Sequence, residues 1–128
     1  MTELYASVGS NDIQAAMAFY DELLPTIGLN TLLDNPDGGR FYGRPGGAML
    51  AVVPPFDKRP ATVGNGSMTG FFLDSPAAVD AFHAKVLALG GSCDGPPGYR
   101  GPEAAGAYFA YARDLDGNKL CAYNWTLG

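Results

Sequence analysis

Imidazole and thiol groups are scarce in this 128-residue sequence, which holds one histidine, His83, and two cysteines, Cys93 and Cys121. Positive charge is scarce as well. Eight Lys plus Arg stand against thirteen Asp plus Glu, giving a net charge of -5, and no basic cluster could follow a phosphate backbone. Nucleic acid is therefore not an expected partner. No apolar run approaches the roughly 20 residues that span a bilayer, so no membrane association is expected. Met1-Thr2-Glu3-Leu4 carries neither a basic region nor a leading apolar stretch, and a cytoplasmic protein follows by default. In that setting Cys93 and Cys121 read as buried or semi-buried free thiols, not as a disulfide.

The chain has ample apolar material, at 47% of residues with only 16% charged, which argues against disorder. Its length suits one domain that folds unaided and buries roughly two-thirds of its unfolded surface. Eighteen Gly and ten Pro divide it into short elements joined by tight connections. Leu4 to Val8 reads as a strand, and Asn11 or Asp12 offers a side-chain oxygen to cap a helix. Ile13, Ala16, Met17, Tyr20 and Leu24 form its apolar stripe, closed by Pro25 and Gly28. Three strands are expected next, at Thr31 to Leu33, Arg40 to Tyr42 and Ala48 to Val53. Asp37-Gly38-Gly39 and Pro45-Gly46-Gly47 separate them as hairpin turns.

Pro54 to Gly66 interrupts regular structure, and the same order then begins again. Met68 to Leu73 reads as a strand, and Ser75-Pro76 as an N-cap with proline at the first helical position. Val79, Phe82, Val86 and Leu89 form a stripe ending at Gly90-Gly91. His83 falls at the edge of that stripe, where a surface or boundary position is expected. A weak strand at Ser92 to Asp94, a Gly/Pro-rich loop from Gly95 to Ala105, and strands at Ala107 to Arg113 and Lys119 to Trp125 complete the chain. The expected fold class is thus α+β, with two tandem βαβββ halves, near residues 4–53 and 67–125, in a single domain. The alternative is two helices on one open antiparallel sheet with an accidental repeat.

Asn11-Asp12 with Ala18-Phe19-Tyr20, Ala77 to His83 running on to Leu89-Gly90-Gly91, and Arg113-Asp114-Leu115-Asp116-Gly117-Asn118 together resemble the glyoxalase / bleomycin-resistance / extradiol-dioxygenase superfamily, the vicinal oxygen chelate proteins. The resemblance covers nearly the whole chain. It implies paired βαβββ modules whose mixed or antiparallel sheets form a cup with the helices outside, a homodimer, and in the enzymes a divalent metal on the cup floor. The metal ligands of such enzymes are His and Glu residues of particular strands. The matching positions in this sequence hold Tyr5, Met68 and Cys121, the last standing four residues beyond Gly117, with Leu50 as the first-half counterpart. A phenol, a thioether, a thiol and an alkyl chain are poor ligands for a hard divalent cation, and there is no second histidine. No metal and no cofactor are expected.

If those positions face the cup, strand alternation brings Ser7, Gly70, Phe72, Tyr123 and Trp125 with them, making an aromatic and apolar lining with a few hydroxyls and a thiol. Arg40, Arg100 and Arg113 are candidates to receive an anionic group or are solvated charges. Tyr99-Arg100, inside the Gly/Pro-rich segment, is either a lid over the pocket mouth or an ordinary surface loop. The expected ligand-binding set is Tyr5, Ser7, Leu50, Met68, Phe72, Tyr99, Arg100, Cys121 and Tyr123. Three functions remain open. One is a metal-independent protein that holds a small aromatic or drug-like molecule. Another is a lyase, isomerase, dioxygenase or thiol transferase, either metal-dependent through ligands in another register or metal-free. The third is a non-catalytic subunit whose pocket has closed.

Overall fold

The computed structural model describes residues 2–127. The chain divides into two compact units, one running to Val63 and the other starting at Gly64. In the first, β1 (Tyr5–Gly9) leads to α1 (Ile13–Leu23), then β2 (Asn30–Asp34), β3 (Arg40–Gly43) and β4 (Met49–Val53). In the second, β5 (Thr69–Phe72) leads to α2 (Pro76–Ala88), then β6 (Ser92–Tyr99), β7 (Tyr108–Arg113) and β8 (Lys119–Asn124). The sheet orders are β1-β4-β3-β2 and β5-β8-β7-β6, so the same βαβββ topology is built twice. The first and last strands of each unit pair in parallel and the remaining pairs are antiparallel. Neither four-stranded sheet closes into a barrel. Among the described residues no helix is long and apolar enough to cross a membrane.

Both helices start as their sequences dictate. The Asp12 carboxylate accepts from the Ala15 N–H at 3.1 Å, and the Ser75 hydroxyl accepts from the Ala78 N–H at 3.1 Å with Pro76 next in line. α1 buries Ala16, Phe19, Tyr20 and Leu23, while Ile13 and Met17 are only half-buried and Leu24 enters a following 3-10 turn. α2 buries Val79, Phe82, His83 and Val86. His83 is therefore a core residue, not the boundary residue expected.

The last two strands of each unit are joined in the same way. Gly117 N–H donates to the Asp114 carbonyl at 3.1 Å, and Gly47 N–H donates to the Arg44 carbonyl at 2.9 Å. The closing pairs are Arg113 with Lys119 and Gly43 with Met49. In the second turn the Asp114 carboxylate also accepts from the backbone N–H groups of Asp116 and Asn118 and from the Asn118 amide. Gly39 is obligatory for a different reason: its φ is +96°, and a β-carbon there would collide with the Val52 carbonyl.

The expected loop from Gly95 corrects to strand as far as Tyr99. β6 lies at the sheet edge, where Pro96 and Pro97 need donate no ladder hydrogen bond, and register shifts on either side of Gly95 absorb the irregularity.

α1 is tied to its sheet through polar groups as well as apolar ones. The fully buried Tyr42 donates its hydroxyl to the Asp21 carboxylate at 2.7 Å, and Arg40 bridges Asp21 at 2.6 Å and Asp34 at 2.7 Å. Burial, and then the bond to Asp21, push the Tyr42 phenol well above its ordinary range. The folded state thus keeps Tyr42 neutral, whereas the unfolded chain ionises it near pH ~10. Its stabilisation is complete below that pH and is lost as pH rises further. Tyr42→Phe is expected to cost about 1 kcal/mol at neutral pH and to flatten the alkaline loss of stability above about pH 10, measured by urea denaturation across pH.

Candidate functional site

Side-chain direction in the second sheet follows from its contacts with α2. The Phe71 ring packs on Phe82 of α2 at 5.5 Å, and the Tyr108 hydroxyl donates to Asp80 of α2 at 2.5 Å. Ala110, Ala112, Leu120 and Ala122 share that buried face. By alternation Gly70, Phe72, Phe109, Tyr111, Arg113, Lys119, Cys121 and Tyr123 point to the opposite, open face.

Strand register then assembles these residues across three strands. Gly70 of β5 pairs with Cys121 of β8, which pairs with Tyr111 of β7. One step along, Phe72 pairs with Tyr123, which pairs with Phe109. The second row is a set of touching rings. Phe72 meets Tyr123 edge-on at 5.6 Å, Tyr123 and Phe109 stack at 5.3 Å with 13° between planes, and Trp125 meets Phe109 at 5.8 Å. Because Gly70 projects no side chain, an open cleft of about 450 Å³ remains, lined by Met68, Gly70, Phe109, Cys121, Tyr123, Trp125 and Leu127. Gly70 has an ordinary φ, and a β-carbon there would come only within 3.6 Å of the Tyr123 ring. The backbone does not demand glycine here; a larger side chain would occupy the cleft.

Charge gathers at the Tyr111 side of this face. Lys119 Nζ lies 4.9 Å from the Tyr111 ring centroid and the Arg100 guanidinium 5.4 Å from it. Asp94 bridges Lys119 and Arg113, each at 3.2 Å, and the hydrogen bond from Lys119, with the Arg113 charge, holds its carboxyl below the usual range. Arg100 donates to the carbonyls of Pro96 at 2.7 Å and Gly98 at 3.1 Å, which folds it back onto its own strand. Tyr99 turns the other way, packing edge-on to Tyr108 at 5.0 Å on the helix side. The lid reading of Tyr99-Arg100 is thereby corrected: pairing with Tyr108 commits Tyr99 to the sheet. Arg40 is likewise committed, to Asp21 and Asp34.

Of the expected ligand-binding set, Met68, Phe72, Cys121 and Tyr123 come together on the open face of the second unit, with Arg100 beside Tyr111. Tyr5 and Ser7 share the open face of the first sheet, where Tyr5 is 60% exposed and its ring lies 6.4 Å from Phe41. Leu50 does not join them. It is buried directly opposite Tyr42, whose hydroxyl is bonded to α1, so Leu50 faces the helix. Gly47, not Gly46, is the counterpart of Gly117, and the position matching Cys121 is therefore Ala51, which shares Ser7's register position. A slip of one residue reverses the face.

Phe109, the central ring of the cleft, and Leu127 were not expected from the sequence, whereas strand alternation places Gly70 and Trp125 on this face. A signal for the first existed: in Tyr108 to Arg113 aromatic Phe109 and Tyr111 alternate with Ala110 and Ala112, which marks one broad aromatic face.

The metal-binding positions that the resemblance points to hold Tyr5, Ala51, Met68 and Cys121 after this correction. A methyl group in place of an alkyl chain leaves the donor set unsuited to a hard divalent cation. Among the described residues no three His, Cys, Asp or Glu side chains are grouped to hold a metal ion. Nor is Cys121 poised as a nucleophile. It is 1% exposed, and burial pushes its thiol up to about 11 against the opposing pull of Lys119 and Arg100. In the native protein at pH 8, Cys121 is expected to resist iodoacetamide and to be labelled only after unfolding, as mass spectrometry of digested protein would show.

The sequence profile described as "Glyoxalase/Bleomycin resistance protein/Dioxygenase superfamily" matches residues 4–122. A glyoxalase/bleomycin resistance protein from Albidiferax ferrireducens T118 is 41% identical, with 95% of this chain and 97% of that chain covered and a TM-score of 0.84. A glyoxalase/bleomycin resistance protein from Streptomyces sp. CB03234 is 26% identical over 96% of this chain and 100% of that chain, with a TM-score of 0.66. Lactoylglutathione lyase from Agrobacterium tumefaciens, at 24% identity over 96% and 92% and a TM-score of 0.71, shares the fold. A comparison with curated protein sequences gives no match.

Proposed function

The chain belongs to the glyoxalase/bleomycin resistance protein/dioxygenase superfamily, and from that premise we propose that it binds a small, planar aromatic molecule without a metal ion. The observation that carries this reading is the cleft of about 450 Å³ walled by the stacked Phe109 and Tyr123 rings and by Trp125. Its volume falls within the ~300–1,000 Å³ of small-molecule sites, and its walls are apolar apart from a hydroxyl and a neutral thiol. An uncharged or weakly polar ring system suits such walls, each aromatic contact adding ~0.5–1.5 kcal/mol beyond the area it buries. On the first unit Tyr5 and Ser7 offer a ring and a hydroxyl on their own open face for the same class of ligand. The donor set and the high thiol pKa favour binding over metal-assisted or thiol chemistry. A homodimer in the cytoplasm completes the proposal, with the exposed Leu4, Leu33 and Phe56 supplying apolar surface for association.

Trp125 is the sole tryptophan and lines the cleft, so its fluorescence reports on occupancy. Titration with neutral bicyclic aromatics such as indoles and naphthols is expected to quench Trp125 saturably, with one ligand at the second-unit cleft of each chain. Affinity should be unchanged by EDTA, and the ligand should be recovered unaltered. Phe109→Ala is expected to weaken binding about tenfold, equivalent to ~1.4 kcal/mol. Gly70→Leu should abolish binding while the circular dichroism stays native. Absence of saturable binding, or affinity indifferent to both substitutions, would refute the reading. Light scattering at micromolar concentration is expected to give twice the chain mass; a monomer would remove the dimer from the proposal.

A further inference from the structure

The helix-facing side of the second sheet carries a pair of groups that the cleft does not use. Cys93, on the edge strand β6, is exposed, yet its Sγ lies 3.3 Å from Nε2 of His83 on α2. Cys93 pairs with Ala112, whose side chain is packed towards the helix, so this thiol and Cys121 lie on opposite faces of one sheet. His83 is only 6% exposed. A neutral imidazole has one donor and one acceptor nitrogen, and the tautomer with its proton on Nδ1 leaves Nε2 to accept the thiol proton. Burial, opposed by the Tyr111 backbone and by Asp80, lowers the affinity of His83 for a second proton, which keeps the acceptor nitrogen free at neutral pH. Asp80 itself is engaged by the Tyr108 hydroxyl. His83 interrupts an otherwise apolar stripe of Val79, Phe82 and Val86, where an aliphatic residue would pack as well without needing polar partners. A nucleophile with a base within hydrogen-bonding reach is the core of an activated thiol.

We propose that Cys93 and His83 form a second reactive site, a histidine-assisted thiol that adds to α,β-unsaturated carbonyl compounds. As sulfur bonds to the β-carbon, the thiol proton passes to Nε2 of His83 and the alkene electron pair moves onto the carbonyl oxygen as an enolate. His83 then returns the proton to the α-carbon. The product is a thioether, nothing leaves, and no oxidant or reductant is needed. The site is independent of ligand binding in the cleft.

N-ethylmaleimide, itself an α,β-unsaturated carbonyl compound, is the probe, with labelling followed residue by residue by mass spectrometry at pH 7. Cys93 in the native protein is expected to react at least about tenfold faster than Cys93 in the urea-unfolded chain, the scale on which a positioned base accelerates a proton transfer. His83→Gln should bring the native rate down to that of the unfolded chain while Cys121 stays unlabelled, which reports an intact fold. A native rate no faster than the unfolded one overturns the proposal, as does a His83→Gln variant with Cys121 protected that labels as fast as wild type. Should that variant unfold and expose Cys121, the comparison of native with unfolded wild type decides alone.

Discussion

The parallel pairing of first and last strand within each βαβββ unit is the constraint from which the candidate site follows. It sets Gly70 beside Cys121 and Phe72 beside Tyr123, and the antiparallel β7 then adds Tyr111 and Phe109 to the same two rows. Because side chains alternate along a strand, this single register decides which residues meet on the open face and which meet α2. One missing side chain, at Gly70 in the row beside the touching rings, leaves room for a cleft against them. The first unit repeats the pairing with Ser7 opposite Ala51, on a face with fewer rings.

Burial is what distinguishes groups that look alike in composition. Two thiols occur on neighbouring parts of one sheet, but Cys121 lies beneath the aromatic face with its proton held, whereas Cys93 sits at the edge next to an imidazole. Three arginines looked equally available as anion receptors. Arg40 is locked between two carboxylates, Arg113 shares Asp94 with Lys119, and Arg100 caps carbonyls of its own strand while lying over Tyr111. The metal-binding positions that the resemblance points to hold Tyr5, Ala51, Met68 and Cys121 in this chain.

Much of the fold was legible in the chain. The caps at Asp12 and Ser75-Pro76, the 3.6-residue stripes of both helices and the Asp-Gly turn at 116–117 are local signals, and each produced the element expected. The departures arose where an element depends on a neighbour. β6 extends through Gly95-Pro96-Pro97-Gly98 because an edge strand tolerates proline when only one side is paired. His83 is buried because β6 and β7 close over that face of α2.

The sequence by itself determined the repeated order of elements, the scarcity of metal ligands and the aromatic character of the later strands, since these depend only on residue type and short-range periodicity. Tertiary structure alone decided which residue stands beside which. Turn geometry made Gly47 the counterpart of Gly117, which moved the first-half position from Leu50 to Ala51 and reversed its face. Cross-strand register brought Phe109 to the centre of the cleft and Tyr99 away from it, and helix packing set His83 against Cys93. Such pairings are long-range, and a period of two converts an error of one residue into the wrong side of the sheet.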